Sequence, residues 1–427
     1  MTASRSDSVL VVGGGPAGLA AALALGHAGL AVTLAAPPHR PAYQTAGAAD
    51  DRRTAALFGG SIELLRNLGV WESLRNVSEP LSAIRIIDDT GGLLKAPEVV
   101  FRASDAGLDA FGYNVPNAAL AAALLEAVRQ PDSGVDVIET AAVETIACGA
   151  DTVFATTREG RKLSASLLAA ADGRGSICRS AAGIGTRTWT YPQSAVVCSF
   201  EHTRPHRNVS TEFHRNTGPF TVVPMPGNTS SLIWVETPEE AQRLAALDDA
   251  ALTGAIEDRL QGLLGSVRAI SPRAAFPLSG LTADTFAANR VALIGEAGHV
   301  IPPIGAQGLN LGLRDAATLA GCVAEAWHDK QDIGGPTVMA AFAKARAADV
   351  TSRIWTIDLL NRSLISELAP VQLARGAGLY ALQAIGPLRR FLLREGIQPS
   401  HATPALMQPG GSAILSDQAS NSVPVRA

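Results

Sequence analysis

Residues Val9–Ala22 read VLVVGGGPAGLAAA, and the reading of the whole chain depends on this stretch. Val9–Val12 is a short apolar run with β-branched residues, as in a strand covered on both faces. Pro16–His27 is rich in alanine and leucine and predicts a helix. Gly29 ends it, and Leu30–Leu34 predicts a second strand, so the chain opens with a βαβ unit. Between strand and helix, Gly13, Gly15 and Gly18 satisfy G-x-G-x-x-G in the setting that pattern requires. The first glycine makes the tight turn, the second lets the backbone approach a pyrophosphate, and the third lets helix and strand pack closely. Free N–H groups at the helix start, with roughly half a unit of dipole charge, favour the anion. The stretch is apolar enough to imitate a signal peptide or a membrane span. Gly13, Gly14, Gly15, Pro16 and Gly18 interrupt it, and only Arg5 precedes it, so neither is expected.

One part of the dinucleotide pattern is missing. An Asp or Glu about twenty residues further on should take the ribose hydroxyl. Here the second strand reads AVTLAAPPHR, and the slot falls near Ala36. Ribose recognition is either supplied elsewhere, by Arg40 or a backbone group, or weak.

The 427 residues allow two domains or one large composite domain. With 47% hydrophobic and 17% charged residues, a large core is expected and global disorder is not. A net charge of -4 leaves no basic footprint, so no nucleic-acid partner is read. Cys148, Cys178, Cys198 and Cys322 form no CxxC pair. They read as reduced thiols in a reducing, cytoplasmic setting, not as a disulfide framework or a metal site.

Further along, Ile62–Val70 is helical in pattern and runs into WESL. Asn117–Val128 is a second helix with Asn117 placed as its N-cap. VDVIET and TVFATT read as alternating strands before an EGRK turn. Between Tyr191 and Glu236, SAVVCSFEH, VSTEFHR, FTVVPMP and SSLIWVE are strand-like and separated by Asn, Gly and Pro turns, as in a separate antiparallel sheet. Arg290–Gly295 returns to the buried parallel type, and NLGLRDAATLAGCVAEAW predicts a long helix. The fold class is therefore α/β: a Rossmann-like dinucleotide domain interrupted by an antiparallel β-sheet domain, with C-terminal helices. The helical pattern from Phe342 runs as far as LRRFLLREG, and the tail from Met407 reads as flexible.

Two later stretches complete a recognisable set: AAADGRGSICR (169–179) and VALIGEAGHVIPPIGAQGLNLGLRDA (291–316). With GPFTVVPMPG and FPL, they make residues 8–406 resemble the class A flavoprotein aromatic hydroxylases, which include para-hydroxybenzoate hydroxylase. Within these the chain looks most like the ubiquinone-biosynthesis hydroxylase family. The resemblance implies FAD on Gly13, Gly15 and Gly18, with Arg53, alone or with Arg52, contacting it through the DRRTAAL segment. Asn117 matches a position near the adenosine half, where a plain helix cap is the other reading. Asp172 and Gly173 match a motif linked to FAD and to the reducing nicotinamide nucleotide. Glu296 stands where the family has Asp on the ribityl chain, the other reading being an exposed strand-end acid. Pro303, Gly305, Gly308, Leu309 and Asn310 match the loop against the flavin ring. Pro303 and Gly305 face the reaction, and the N–H groups near Leu309 and Asn310 serve the ring's pyrimidine edge. His299, a lone histidine in an apolar loop, reads as structural.

The resemblance divides the chain into FAD-binding parts at 1–80, 106–185 and 281–345. Substrate-domain strands fall at 81–105 and 186–280, C-terminal helices at 346–406, and the tail at 407–427. With no second G-x-G-x-x-G, NAD(P)H is expected to bind transiently, as a co-substrate. The implied reaction is NAD(P)H- and O2-dependent hydroxylation of an aromatic ring, with a polyprenyl phenol of ubiquinone biosynthesis as the leading substrate. A small soluble phenol, a flavin oxidase or reductase, and a non-catalytic prenyl-binding escort are the alternatives. Phe220 and Trp234 either line an apolar substrate pocket or pack in the core; no general base is assigned. A polyprenyl substrate implies a peripheral contact at the inner face of the membrane or with a biosynthetic complex. Leu388, Phe391, Leu392 and Leu393 beside Arg389, Arg390 and Arg394 have that character, or that of an ordinary amphipathic helix.

Overall fold

A computed structural model describes residues 7–38, 53–90, 97–365, 369–387 and 403–411. Arg40, Arg52 and the basic apolar segment Leu388–Arg394 lie outside the described residues.

The opening unit forms as read: strand Ser8–Val12, helix Pro16–His27 and strand Ala31–Ala36. It lies inside a sheet ordered Ala287–Ala288, Val291–Leu293, Leu167–Ala170, Ser8–Val12, Ala31–Ala36, Val135–Glu139. Every neighbouring pair is parallel except the two-residue edge pair. Alternation along each strand sends neighbouring residues to opposite faces. Val9, Val11, Leu167 and Ala169 pack with the helices Pro16–His27, Asn117–Val128 and Gln307–His328. Leu10, Val12, Leu168 and Ala170 pack against an antiparallel meander, Val143–Cys148, Val153–Thr157 and Lys162–Ala165. Both faces are covered, which is why these strands read as unbroken apolar runs.

A second sheet runs His299–Val300, Ala274–Ala283, Thr186–His202, Thr229–Glu236, Gly218–Met225, Val209–Arg215, Ala83–Asp88, Val99–Arg102, with Val267–Arg268 beside the third of these. It is antiparallel except where Val209–Arg215 meets Ala83–Asp88 in parallel. Its first strand follows Val291–Leu293 of the first sheet after only a short loop, so the two sheets are joined at residues 294–298. Helices Pro238–Ala246 and Asp249–Leu260, capped by Thr237 and Asp248, cover one of its faces.

Several sequence expectations are corrected. VDVIET and TVFATT are strands, as read, but in different sheets: VDVIET supplies the outer parallel strand beside Ala31–Ala36, and its alternation reflects an edge position. Asn117 is the first residue of its helix, not the cap, because Pro116 holds the cap position in extended conformation. The divisions at 280/281 and 345/346 fall inside the strand Ala274–Ala283 and the helix Pro336–Ile365. The tail does not begin at Met407: Leu406 and Met407 are buried, and Asn67 Nδ2 donates to the carbonyls of Leu406 and Gln408, both at 2.9 Å.

Phe220 and Trp234 face each other in register, with ring centroids 5.1 Å apart and edge to face. Both are fully buried with Leu244, Leu252 and Ile256 beneath the covering helices. They are core residues, and the pocket reading does not hold for them. Trp234→Ala is therefore expected to lower stability by about 3–5 kcal/mol, measured by urea unfolding of the pure protein.

Candidate active site

Parallel strands place their carboxyl ends on one edge, where open α/β sheets bind ligands. Three of those ends carry the motifs: Gly13 follows Val12, Asp172 follows Leu167–Ala170, and Gly295–Glu296 follows Val291–Leu293.

The three motif glycines differ in what surrounds them. Gly13 has φ +121°, and a Cβ there would lie 2.1 Å from the Ala171 carbonyl oxygen. A Cβ on Gly18 would lie 2.1 Å from the Gly13 carbonyl oxygen. A Cβ on Gly15, the N-cap of the first helix, would meet nothing within 4 Å. The outer two thus serve backbone packing, while Gly15 keeps clear the space in front of a helix N-terminus, where an anion is favoured.

Arg53 and Asn117 are distant in sequence and adjacent in space, with the Asn117 N–H donating to the Arg53 carbonyl at 2.9 Å. Asn117 Oδ1 is buried and accepts no hydrogen bond among the described residues. Asp172 is similar: Oδ2 accepts from the Cys178 N–H at 3.2 Å, whereas buried Oδ1 has no donor among the described residues. Burial, and then the Asp172 charge, push the Cys178 thiol up, so it stays protonated. Beside Asp172–Gly173, the buried Arg179 donates to the carbonyls of Ala297 at 2.8 Å and Arg174 at 3.0 Å, clamping this loop to the Gly295–Gly298 loop.

Glu296 is exposed on the short helical turn Gly295–Ala297, not a buried carboxylate. The missing acid at Ala36 also has a structural counterpart. Ala36 is buried, and a Cβ on Gly14 would come 2.9 Å from the Ala36 Cβ, so the middle one of the three consecutive glycines and the small strand-end residue fit one another. Glu139 is its register partner on the next strand, but its carboxylate is held by Arg129 at 2.8 Å.

The loop before the late helix turns through Gly305 and Ala306, both with left-handed φ, +67° and +53°. Ala306 is the N-cap, and the helix starts at Gln307. The N–H groups of Gln307, Gly308 and Leu309 are therefore the free ones; that of Asn310 is the first with a helical acceptor. Pro303, Gly305 and Gly308 are exposed. Asn310 instead acts through its side chain. Its Oδ1 accepts from the Phe58 N–H at 2.9 Å and the Ser61 hydroxyl at 2.7 Å, and its Nδ2 donates to the carbonyls of Ala56 at 2.8 Å and Ala306 at 2.7 Å. It clasps the loop to the strand Thr54–Phe58.

Beneath the loop lies a buried charge cluster that the sequence reading left unassigned, although RDA was in view. Asp315 is fully buried. Its Oδ2 accepts from the Gly295 N–H at 2.8 Å and meets His299 Nε2 at 2.7 Å, and its Oδ1 accepts from Arg346 Nε at 2.5 Å. His299 is thus a buried structural partner. Arg346 and Arg353 both reach Asp349, and Arg353 also donates to Gln307 at the helix start. A spacing argument on residues 291–316 cannot find Arg346 or Asp349, which lie on the following helix.

These features describe a flavin-dependent aromatic monooxygenase. The chain belongs to the family of proteins with the FAD binding domain, whose model matches residues 6–347, and groups with the ubiquinone-biosynthesis hydroxylases. It is 34% identical to the ubiquinone hydroxylase UbiL of Rhodospirillum rubrum, over 93% of this chain and 90% of that protein. It is 29% identical to the 3-demethoxyubiquinol 3-hydroxylase of Escherichia coli, over 92% of this chain and 99% of that one. The solved structure of p-nitrophenol 4-monooxygenase PnpA from Pseudomonas putida matches with a TM-score of 0.71 at 20% identity, covering 94% of this chain and all of that one, and shares the fold. FAD is the cofactor and NAD(P)H the co-substrate. No helix among the described residues is long and apolar enough to cross a membrane.

Two substitutions separate the glycine roles. Gly18→Ala is expected to disrupt the fold, whereas Gly15→Ala should unfold at the wild-type temperature without cofactor yet bind FAD about ten-fold more weakly or worse; calorimetry and flavin titration test both. At Asp315, burial alone would raise the carboxyl pKa, but the facing charges of His299 and Arg346 outweigh it and hold the group below the usual range. Its stabilisation is therefore complete above the unfolded value of about 4 and lost as pH falls through the lower folded value. Asp315→Asn should cost about 3–5 kcal/mol at neutral pH, and the gap to wild type should narrow below about pH 4 in urea titrations.

Proposed function

We propose that this chain hydroxylates the aromatic ring of a polyprenylated intermediate of ubiquinone biosynthesis. The observation that carries this reading is the identity to ubiquinone hydroxylases over nearly the full length of both chains, on an intact cofactor edge. FAD bound at that edge supplies the electrons for O2 reduction and the transfer of one oxygen atom to the ring.

The residues have distinct tasks. Gly15 and the first helix hold the diphosphate, with Arg53 adding positive charge. Asn117 and Asp172 each offer a buried acceptor, and hydroxyl or amino donors on the bound nucleotide satisfy them. Glu296, exposed at the end of the strand Val291–Leu293, would accept from the ribityl hydroxyls. The Pro303–Gly305 turn and the free N–H groups of Gly308 and Leu309 at the helix start would hold the flavin ring, the N–H groups offering donors to negative charge on it.

The substrate ring belongs on the sheet face opposite Phe220 and Trp234. There Ile233 and Val235, one step out of phase with Trp234, cluster with Tyr191 and Leu278. The Thr54 hydroxyl, next to Arg53, bonds the Ser231 hydroxyl of that face at 3.0 Å. These apolar walls orient the ring and exclude water. A polyprenyl tail requires access from a membrane surface or a carrier complex, so we assign the protein a cytoplasmic location with a peripheral contact at the inner membrane face.

Deleting the gene should halt quinone synthesis at one hydroxylation, with a precursor lighter by one oxygen accumulating in lipid extracts. Purified protein with FAD, NAD(P)H and that precursor should return the hydroxylated product by mass spectrometry. Unchanged quinone in the deletion strain rejects this substrate in favour of a soluble phenol. Hydrogen peroxide without hydroxylated product indicates an oxidase. Failure to retain FAD indicates an escort.

A further inference from the structure

We propose that Glu212, lying on the floor of a groove across the antiparallel sheet, recognises the substrate by accepting the hydrogen bond of its phenolic hydroxyl. This inference rests on the proposed phenol substrate and not on its polyprenyl tail.

The groove follows from the pattern of exposure. Phe213, Phe220 and Trp234 point into the core under the covering helices, so residues one step out of phase with them lie on the other face. There Val197, Ile233, Thr221 and Glu212 stand side by side in register across four strands, and all four are partly exposed. The rows on either side are buried. One contains Ala195, Val235 and His214, and next to it Tyr191 and Gln193 bond Asp358 and Asn361 of the helix Pro336–Ile365. The other contains Ser199, Ser231 and Val223, with Ser231 bonded to Thr54 of the strand Thr54–Phe58. A strip of exposure between two covered strips is a groove, walled by the late helix on one side and by the FAD-binding part on the other. The segment after the Pro303–Gly305 turn is tied to both walls, Gln307 to Arg353 of the helix and Asn310 to Ala56 and Phe58 of the strand. The turn proposed to hold the flavin ring therefore spans this groove.

Glu212 is the charged group on that floor; Val197 and Ile233 are apolar, and Thr221 adds a hydroxyl. Glu212 Oε1 lies 2.7 Å from Nε2 of His214, two residues along on the same face. An ionised carboxylate can only accept, so Nε2 carries the proton and the imidazole fixes the direction of the carboxylate. His214 is itself buried, and its Nδ1 has no partner among the described residues. Glu212 makes no other hydrogen bond and no pair with Lys or Arg among the described residues, although only 16% of its side chain is exposed. A half-satisfied carboxylate on an apolar floor favours a ligand that brings a donor. A phenolic hydroxyl brings one, whereas a methyl ether or a quinone carbonyl at the same place has no proton to give. Glu212 therefore selects the reduced, unmethylated ring.

The test uses the full-length FAD-loaded protein, with 2-prenylphenol and its methyl ether as probes and binding read from the change in flavin absorbance. Wild type should bind the phenol about ten-fold or more tightly than the ether. In Glu212→Gln the amide oxygen takes the His214 proton and the NH2 turns to the groove, so a donor replaces the acceptor. That variant should bind the ether as wild type does and lose the preference for the phenol. Should Glu212→Gln fail to fold, a crystal of wild type with 2-prenylphenol decides, the phenolic oxygen being expected within hydrogen-bond distance of the Glu212 carboxylate. Equal binding of the two probes by wild type, a preference unchanged in Glu212→Gln, or a bound phenol with no hydrogen bond to Glu212 each overturns the inference while leaving hydroxylation of the phenol intact. A wild type that neither binds nor hydroxylates the phenol rejects the substrate reading itself, and the inference falls with it.

Discussion

Three separate parts of the chain meet on the two oxygens of one fully buried carboxylate. Asp315 takes the backbone N–H of Gly295, the ring of His299 and the guanidinium of Arg346. Gly295 ends a strand of the parallel sheet, His299 begins a strand of the second sheet, and Arg346 lies on the helix Pro336–Ile365. The two sheets and the late helices are tied together at this point. Neutralising one partner would strand the others in a low-dielectric interior, which makes the junction stiff. Asn310, one turn earlier, ties the loop over the same junction to the strand Thr54–Phe58.

Around this anchor the cofactor edge is built mainly from backbone. Gly13 and Gly18 bring helix and strands within distances no side chain allows, and Gly15 leaves room for a diphosphate. At the strand end where an acid was expected, Gly14 approaches Ala36 so closely that a Cβ on Gly14 would lie 2.9 Å from the Ala36 Cβ. On the other sheet, Phe220 and Trp234 pack beneath the covering helices, and Val235 clusters with Tyr191 and Leu278 on the opposite face.

The βαβ opening, the late strand–loop–helix and the flavin class were legible because each rests on local rules: apolar periodicity, glycine spacing and motif order. Gly13 and Gly18 pack backbone against backbone, while Gly15 faces open space at a helix N-terminus. Where side-chain roles depended on which way a strand turned, local rules were insufficient. The alternation around Phe220 and Trp234 marked two faces without saying which one the helices would cover. Asn117 had the right residue type for a cap, but Pro116, in extended conformation, took the position.

What the sequence alone determined is the nucleotide-binding architecture, because a strand, a glycine turn and a helix in immediate succession leave the backbone few alternatives. Only the tertiary structure decided which buried charges share partners. Asp315, Arg346 and Asp349 are brought together by packing of two long helices. It also decided that Arg314, Arg346 and Arg353 all converge on Asp349, since the balance of charge in an interior depends on side chains from distant segments and not on any one stretch of chain.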